Sequence, residues 1–152
     1  MAMQLTSSAF SPNGTIAARF TCDGADVSPP LAWSGAPPET RSFALVCSDP
    51  DAPAGTWYHW AAFDIPAGSQ ALAEHIRADS SGLRHAVNDF GKAAYGGPCP
   101  PRGHGTHHYI FTLYALSVEH LELGAGADCR AVEKAAKAHA LATARLTGLY
   151  AR

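Results

Sequence analysis

Asp49-Pro50-Asp51-Ala52-Pro53, with Trp57-Tyr58-His59-Trp60 four residues further on, is the stretch from which the fold is read. It follows the apolar strand expected over 43–47. Two prolines stiffen the turn, and two carboxylates stand at i and i+2 within it. The chain then re-enters a sheet. Strict alternation places Trp57 and His59 on one face there, and Tyr58 and Trp60 on the other. Taken alone, an Asp-Pro-Asp turn is a plain surface turn and a strand histidine a structural residue.

A second stretch changes that balance. Tyr95-Gly96-Gly97-Pro98-Cys99-Pro100-Pro101-Arg102-Gly103-His104-Gly105-Thr106 leads into His107-His108-Tyr109-Ile110-Phe111. Glycines let backbone approach a ligand and expose amide N–H groups, while prolines limit loop motion. Alternation puts His107, Tyr109 and Phe111 on one face. With the two strands as neighbours, His59, His107 and Tyr109 converge beside the Asp49 turn. Imidazole N–H, phenol O–H and free backbone N–H groups all donate to an oxyanion. A nearby carboxylate orients an imidazole and favours its protonated form.

Eleven prolines and fourteen glycines punctuate short apolar runs, the pattern of a β-rich domain. Strands are expected over 42–48, 58–65 and 108–116, with a shorter one over 15–21. The segment 71–92 reads as a long excursion with little regular structure, ending in the turn Asn88-Asp89-Phe90-Gly91-Lys92. Asp128 is placed to cap a helix over 130–146, with Gly148 where a helix C-terminal glycine belongs. Val132, Ala136, His139, Ala140, Thr143 and Leu146 fall near one face of that helix, which packs on the sheet. The expected architecture is mostly antiparallel β with a C-terminal helix. At 152 residues this is one domain over 1–152, because a second would leave each half too small a core.

A net charge of -2 without like-charge runs argues against nucleic acid or an anionic membrane surface as the main partner. No apolar stretch is long enough to span a bilayer, so no integral membrane association is expected. Met1 to Phe10 lacks a basic region followed by an apolar run, so no cleaved signal peptide is expected. Cys22, Cys47, Cys99 and Cys129 are far apart, without CxxC or zinc spacing. The expectation is reduced thiols in the cytoplasm.

At these residues the chain resembles the phosphatidylethanolamine-binding protein family, the Raf kinase inhibitor-like proteins, in its bacterial and archaeal YbhB/YbcL branch. Cys22-Asp23-Gly24 through Val27-Ser28-Pro29-Pro30-Leu31-Ala32-Trp33 is similar to that branch's opening signature. Asp49 to Pro53 with Trp57 and His59 resembles the first family motif. Gly97-Pro98 through Pro100-Pro101, Gly103, His107 and Tyr109 resembles the second. The resemblance runs over about 5–150 and implies a large antiparallel sheet packed on a smaller one, with peripheral helices. It also implies an anion pocket for phosphate, phosphorylethanolamine-like lipid head groups or acetate. Asp49, His59, His107 and Tyr109 would line it. Pro53 and Trp57 would shape its wall, Gly97 would allow backbone approach, and Asp51 would hold the turn at its edge. A cis peptide at Pro53 and a homodimer are further implications. Three departures stand out: His108 where the family often has Arg, a short C-terminal segment and a short gap from Pro53 to Trp57. They imply a more open pocket and no transfer of kinase inhibition.

Three function classes follow. The leading one is a binding or regulatory module for a small anion, without turnover or cofactor, because no serine or cysteine nucleophile adjoins a base. The alternative is a small-metabolite enzyme using Asp49, His59 and Tyr109 for acid–base chemistry. A metal site at His104, His107, His108 and Asp49 ranks last, since His107 and His108 face opposite ways on a strand.

Overall fold

The computed structural model describes residues 2–77 and 82–152. Among these residues the strands are β1 (Gln4–Thr6), β2 (Gly14–Thr15), β3 (Leu31–Ser34), β4 (Ser42–Asp49), β5 (Trp57–Pro66), β6 (Ala71–Leu72), β7 (Arg84–His85), β8 (His107–Leu116) and β9 (Ala140–Tyr150). One helix, α1 (Cys129–His139), precedes β9. The described residues form a six-stranded sheet in the order β2-β9-β8-β4-β5-β7 and a three-stranded sheet in the order β1-β3-β6. Pairing is antiparallel except between β2 and β9. This is the expected mostly-β architecture of a large sheet backed by a small one. No helix among the described residues is long and apolar enough to cross a membrane.

β4 reads as an unbroken apolar run because it is covered on both faces. Phe43, Leu45 and Cys47 join Phe111, Leu113 and Trp33 in the core between the sheets. Ala44 and Val46 turn the other way, to Phe63, Tyr114 and the Val132 and Ala136 face of α1. The helix begins as expected, with the Asp128 carboxylate accepting from the Ala131 N–H at 2.9 Å. Tyr58 anchors it by donating its O–H to Glu133 at 2.7 Å, under the Arg130 guanidinium.

The helix does not reach residue 146. It stops at His139, and β9 pairs with all ten residues of β8. From residue 142 on, Ala142, Ala144, Leu146 and Gly148 alternate with Thr143, Arg145 and Thr147, and the former set faces the core. That period of two and the β8 ladder outweigh the helix propensity of Ala, Leu and Arg. Gly148 is therefore no helix cap. A Cβ there would stand 2.5 Å from Ile16. The strand expected over 15–21 shrinks to β2, because the chain turns into a 3-10 helix at Ala18–Phe20. The excursion 71–92 contributes the two short edge strands β6 and β7, while 78–81 lie outside the described residues.

Cys22 and Cys99 are not reduced thiols but a disulfide, with Cys47 and Cys129 free and buried. The Cys22 N–H donates to the Pro98 carbonyl at 3.1 Å, setting the two loops side by side across 77 residues of sequence. All peptide bonds among the described residues are trans, including the one at Pro53.

Candidate functional site

The strands carrying His59 and His107 are not neighbours, because β4 lies between them. Convergence comes instead from a bulge. Cys47 pairs with Trp60 and Ser48 with Tyr58, so His59 is the extra residue. The bulge breaks the expected alternation. Tyr58 faces α1, whereas Trp60 lies in the core between the sheets. The freed His59 carbonyl is met by the Gly96 N–H at 3.0 Å and the Asn88 amide at 3.1 Å.

Asp49 ends β4. Its Oδ1 accepts from the Asp51 N–H at 2.7 Å, and its Oδ2 lies 2.6 Å from His107 Nδ1. His107 Nε2 lies 2.6 Å from Nδ1 of His104, so one proton bridges the two rings. An Asp49–His107–His104 chain thus runs from the buried floor to an exposed loop. His59 Nδ1 donates to the Gly96 carbonyl at 2.7 Å, which leaves Nε2 for a ligand. Burial lowers the His59 pKa, against the Gly96 carbonyl and the Asp49 charge, so the ring favours its neutral form.

The Tyr109 ring stands edge-on to His59 at 5.2 Å. Burial first, and then the Asp49 charge, push its phenol pKa up, so it stays an O–H donor. That O–H faces the Asp49 carboxylate but closes no hydrogen bond of good geometry, and the buried Trp57 indole N–H has no partner. Asp49, Pro53, Trp57, His59, His107 and Tyr109 all line one cavity of about 210 Å³.

Two expected site residues stand elsewhere. Gly97 does not line this cavity, and its N–H is taken by Asp26 at 2.8 Å. It is glycine because a Cβ would fall 2.1 Å from the Phe20 carbonyl oxygen. Asp51 also stays out of the cavity, accepting from the His108 backbone N–H at 2.8 Å and facing its Nδ1 at 2.7 Å. It clips the acidic turn to the start of β8. His107 is buried and His108 exposed, and among the described residues no three His, Cys, Asp or Glu side chains group as a metal site.

The family model described as phosphatidylethanolamine-binding protein matches residues 6–151. The chain belongs to the phosphatidylethanolamine-binding protein family. A UPF0098 protein of Aquifex aeolicus is 45% identical over 99% of this chain and 89% of its own length. The UPF0098 protein YbhB of Escherichia coli is 39% identical over 84% of each chain. The crystal structure of E. coli YbcL, described as a new member of the mammalian PEBP family, matches with a TM-score of 0.94. That match is 34% identical and covers 100% of this chain and 99% of the other.

In this phosphatidylethanolamine-binding protein family member, sequence reasoning missed Phe90 and Ala52 as cavity walls, and it expected Cys99, also in the wall, only as a reduced thiol. Pro100 and Pro101 complete the wall. Phe90 stands edge-on to both Trp57 and His59, each at 5.4 Å. The signal for it was a large apolar side chain at a turn tip, between Asp89 and Gly91. Nothing in the sequence placed that tip against β5. Asn88 does so, by bonding the carbonyls of His59 and Ala94 at once.

Proposed function

We propose that this protein binds a small oxyanion in the cavity of Asp49, His59, His107 and Tyr109, and acts by binding in a regulatory role rather than by turnover. The oxyanion is phosphate or the phosphate of a phosphorylethanolamine-like lipid head group. The observation that carries the reading is the pair of unpartnered donors, the Tyr109 O–H and the Trp57 N–H. Each unmade bond costs about 1–3 kcal/mol, and an oxyanion accepting from both recovers that cost. Neutral His59 adds an acceptor at Nε2, which suits the P–OH of a singly charged phosphate. The acidic floor fits the same ligand, since Asp49 is engaged by His107 and the Asp51 N–H rather than facing the anion bare. Cys99 in the wall is bound to Cys22 and offers no thiolate nucleophile.

Calorimetric titration with inorganic phosphate and phosphorylethanolamine tests this reading. Binding in the millimolar-to-micromolar range is expected, and it weakens in His59→Ala. Absence of binding in the wild-type protein overturns the proposal. Turnover of a phosphate ester lost in His59→Ala would replace it with acid–base catalysis.

A further inference from the structure

Behind Phe90 lies a second cavity, also of about 210 Å³. Phe90 and Cys99 belong to the walls of both cavities, so the phenyl ring and the Cys22–Cys99 disulfide form the partition. The two parts of that partition differ in freedom. The disulfide is fixed covalently. The Phe90 backbone is fixed by buried Asn88, whose Oδ1 accepts from the N–H groups of Phe90 and Lys92 at 3.0 Å each. The Phe90 ring, by contrast, is 43% exposed and touches Trp57 and His59 only edge-on. It fits against the chain because residue 96 is glycine, where a Cβ would stand 2.6 Å from the ring. The phenyl ring is thus the one part of the partition held by neither a covalent bond nor a hydrogen bond.

Hydrogen-bond accounting gives the two compartments different halves of one ligand. The first has donors without partners. In the second, Asn88, Tyr95 and Asp26 are engaged within the chain, and Lys92 is exposed, its ammonium without a partner among the described residues. Asn88 uses both ends of its amide, the Tyr95 O–H donates to the Phe20 carbonyl at 2.7 Å, and Asp26 accepts from Gly97. Asp26 and Lys92 contribute one charge of each sign, so the compartment carries no net charge. What it offers a ligand is the surface of Phe90, Tyr95, the disulfide and two glycines. Such a lining favours a neutral ring.

We propose that the second cavity is a compartment of the same site, and that the ligand class is a phosphate monoester of an aromatic alcohol. The phosphate sits among Tyr109, Trp57 and His59, and the ring passes Phe90 to lie beside the disulfide and Gly96. A cavity of about 150 Å³ is enough for benzene, so this one holds a six-membered ring. The inference rests on the anion reading above.

The test titrates the intact oxidised protein with inorganic phosphate, phosphorylethanolamine and phenyl phosphate, followed by calorimetry and by backbone amide NMR shifts. Phenyl phosphate is expected to bind about tenfold tighter than phosphate, or more, the gain for burying a phenyl group. It should also shift the amides of Tyr95, Gly97 and Lys92, which phosphate leaves unmoved. Equal affinities for the three probes, or phenyl phosphate shifts confined to the first cavity, overturn the second compartment while the anion site stands. Phosphorylethanolamine binding as tightly as phenyl phosphate overturns the aromatic assignment. Failure of inorganic phosphate itself to bind overturns the anion reading and this inference together.

Discussion

Asp49 Oδ2 and His107 Nδ1 lie 2.6 Å apart with both side chains almost wholly buried, tying the end of β4 to the start of β8 under the cavity. Asp49→Ala strips the acceptor from His107 and from the Asp51 N–H at once. The expected loss of stability is about 1–3 kcal/mol for each donor left unpaired. Asp49→Asn keeps one acceptor oxygen and should lose less. Urea unfolding measures both, and equal losses would show that a neutral amide oxygen cannot stand in for the carboxylate.

Tyr109→Phe separates binding from folding. The hydroxyl faces the Asp49 carboxylate without closing a bond of good geometry in the unliganded protein, so removing it changes stability little. Phosphate affinity should fall about tenfold, the value of one good hydrogen bond to an anion. A destabilised Tyr109→Phe with unchanged affinity would mean the hydroxyl serves the fold.

His59 sets a pH dependence whose sign is fixed by burial. Its folded pKa lies below the ordinary imidazole value of 6.5. The unfolded chain therefore binds more protons between the two values. The His59 contribution is fully present above pH 6.5 and is lost as pH falls through the lowered folded value. Denaturation of the free protein at stepped pH should show stability rising with pH across that window. His59→Gln should flatten the rise, and an unchanged slope would assign it to another group.

Phosphate binding has the opposite slope. Neutral His59 accepts from P–OH, and a phosphate ester loses that proton above about pH 6. Affinity should weaken as pH rises past that point, with proton uptake at pH 7.5 seen in buffers of different ionisation enthalpy. Affinity independent of pH would remove His59 from the contact.

The Cys22–Cys99 bond closes a long loop. Cys22→Ser should cost about 4 kcal/mol by loop entropy, and reductant should lower the wild-type protein to the same level. Thiol titration of the denatured, unreduced protein should find two groups, Cys47 and Cys129. Four would mean the bridge does not form.

Much of the cavity was legible along the chain because its motifs are local. The acidic turn, His59 and the His107/Tyr109 alternation each depend on neighbours within a few residues. Gly97 shows the limit of such reading. A glycine in a loop was read as room for a ligand, but the room is filled by the Phe20 carbonyl, brought there from 77 positions upstream. The 140–150 segment shows the same limit. Its residue types favour a helix, and only its Thr-Arg-Thr alternation hinted at the strand that β8 secured.

By itself the sequence determined the apolar β4, the stiff turn after it, the capped start of α1 and the residue types that face the cavity. These follow from short-range sterics and from periodicity. Tertiary structure alone decided the bulge that turns His59 inward, the disulfide that joins two loops, and the placement of Phe90 between two cavities. Each of these joins segments distant in sequence, and only packing of the folded chain sets the distance between them.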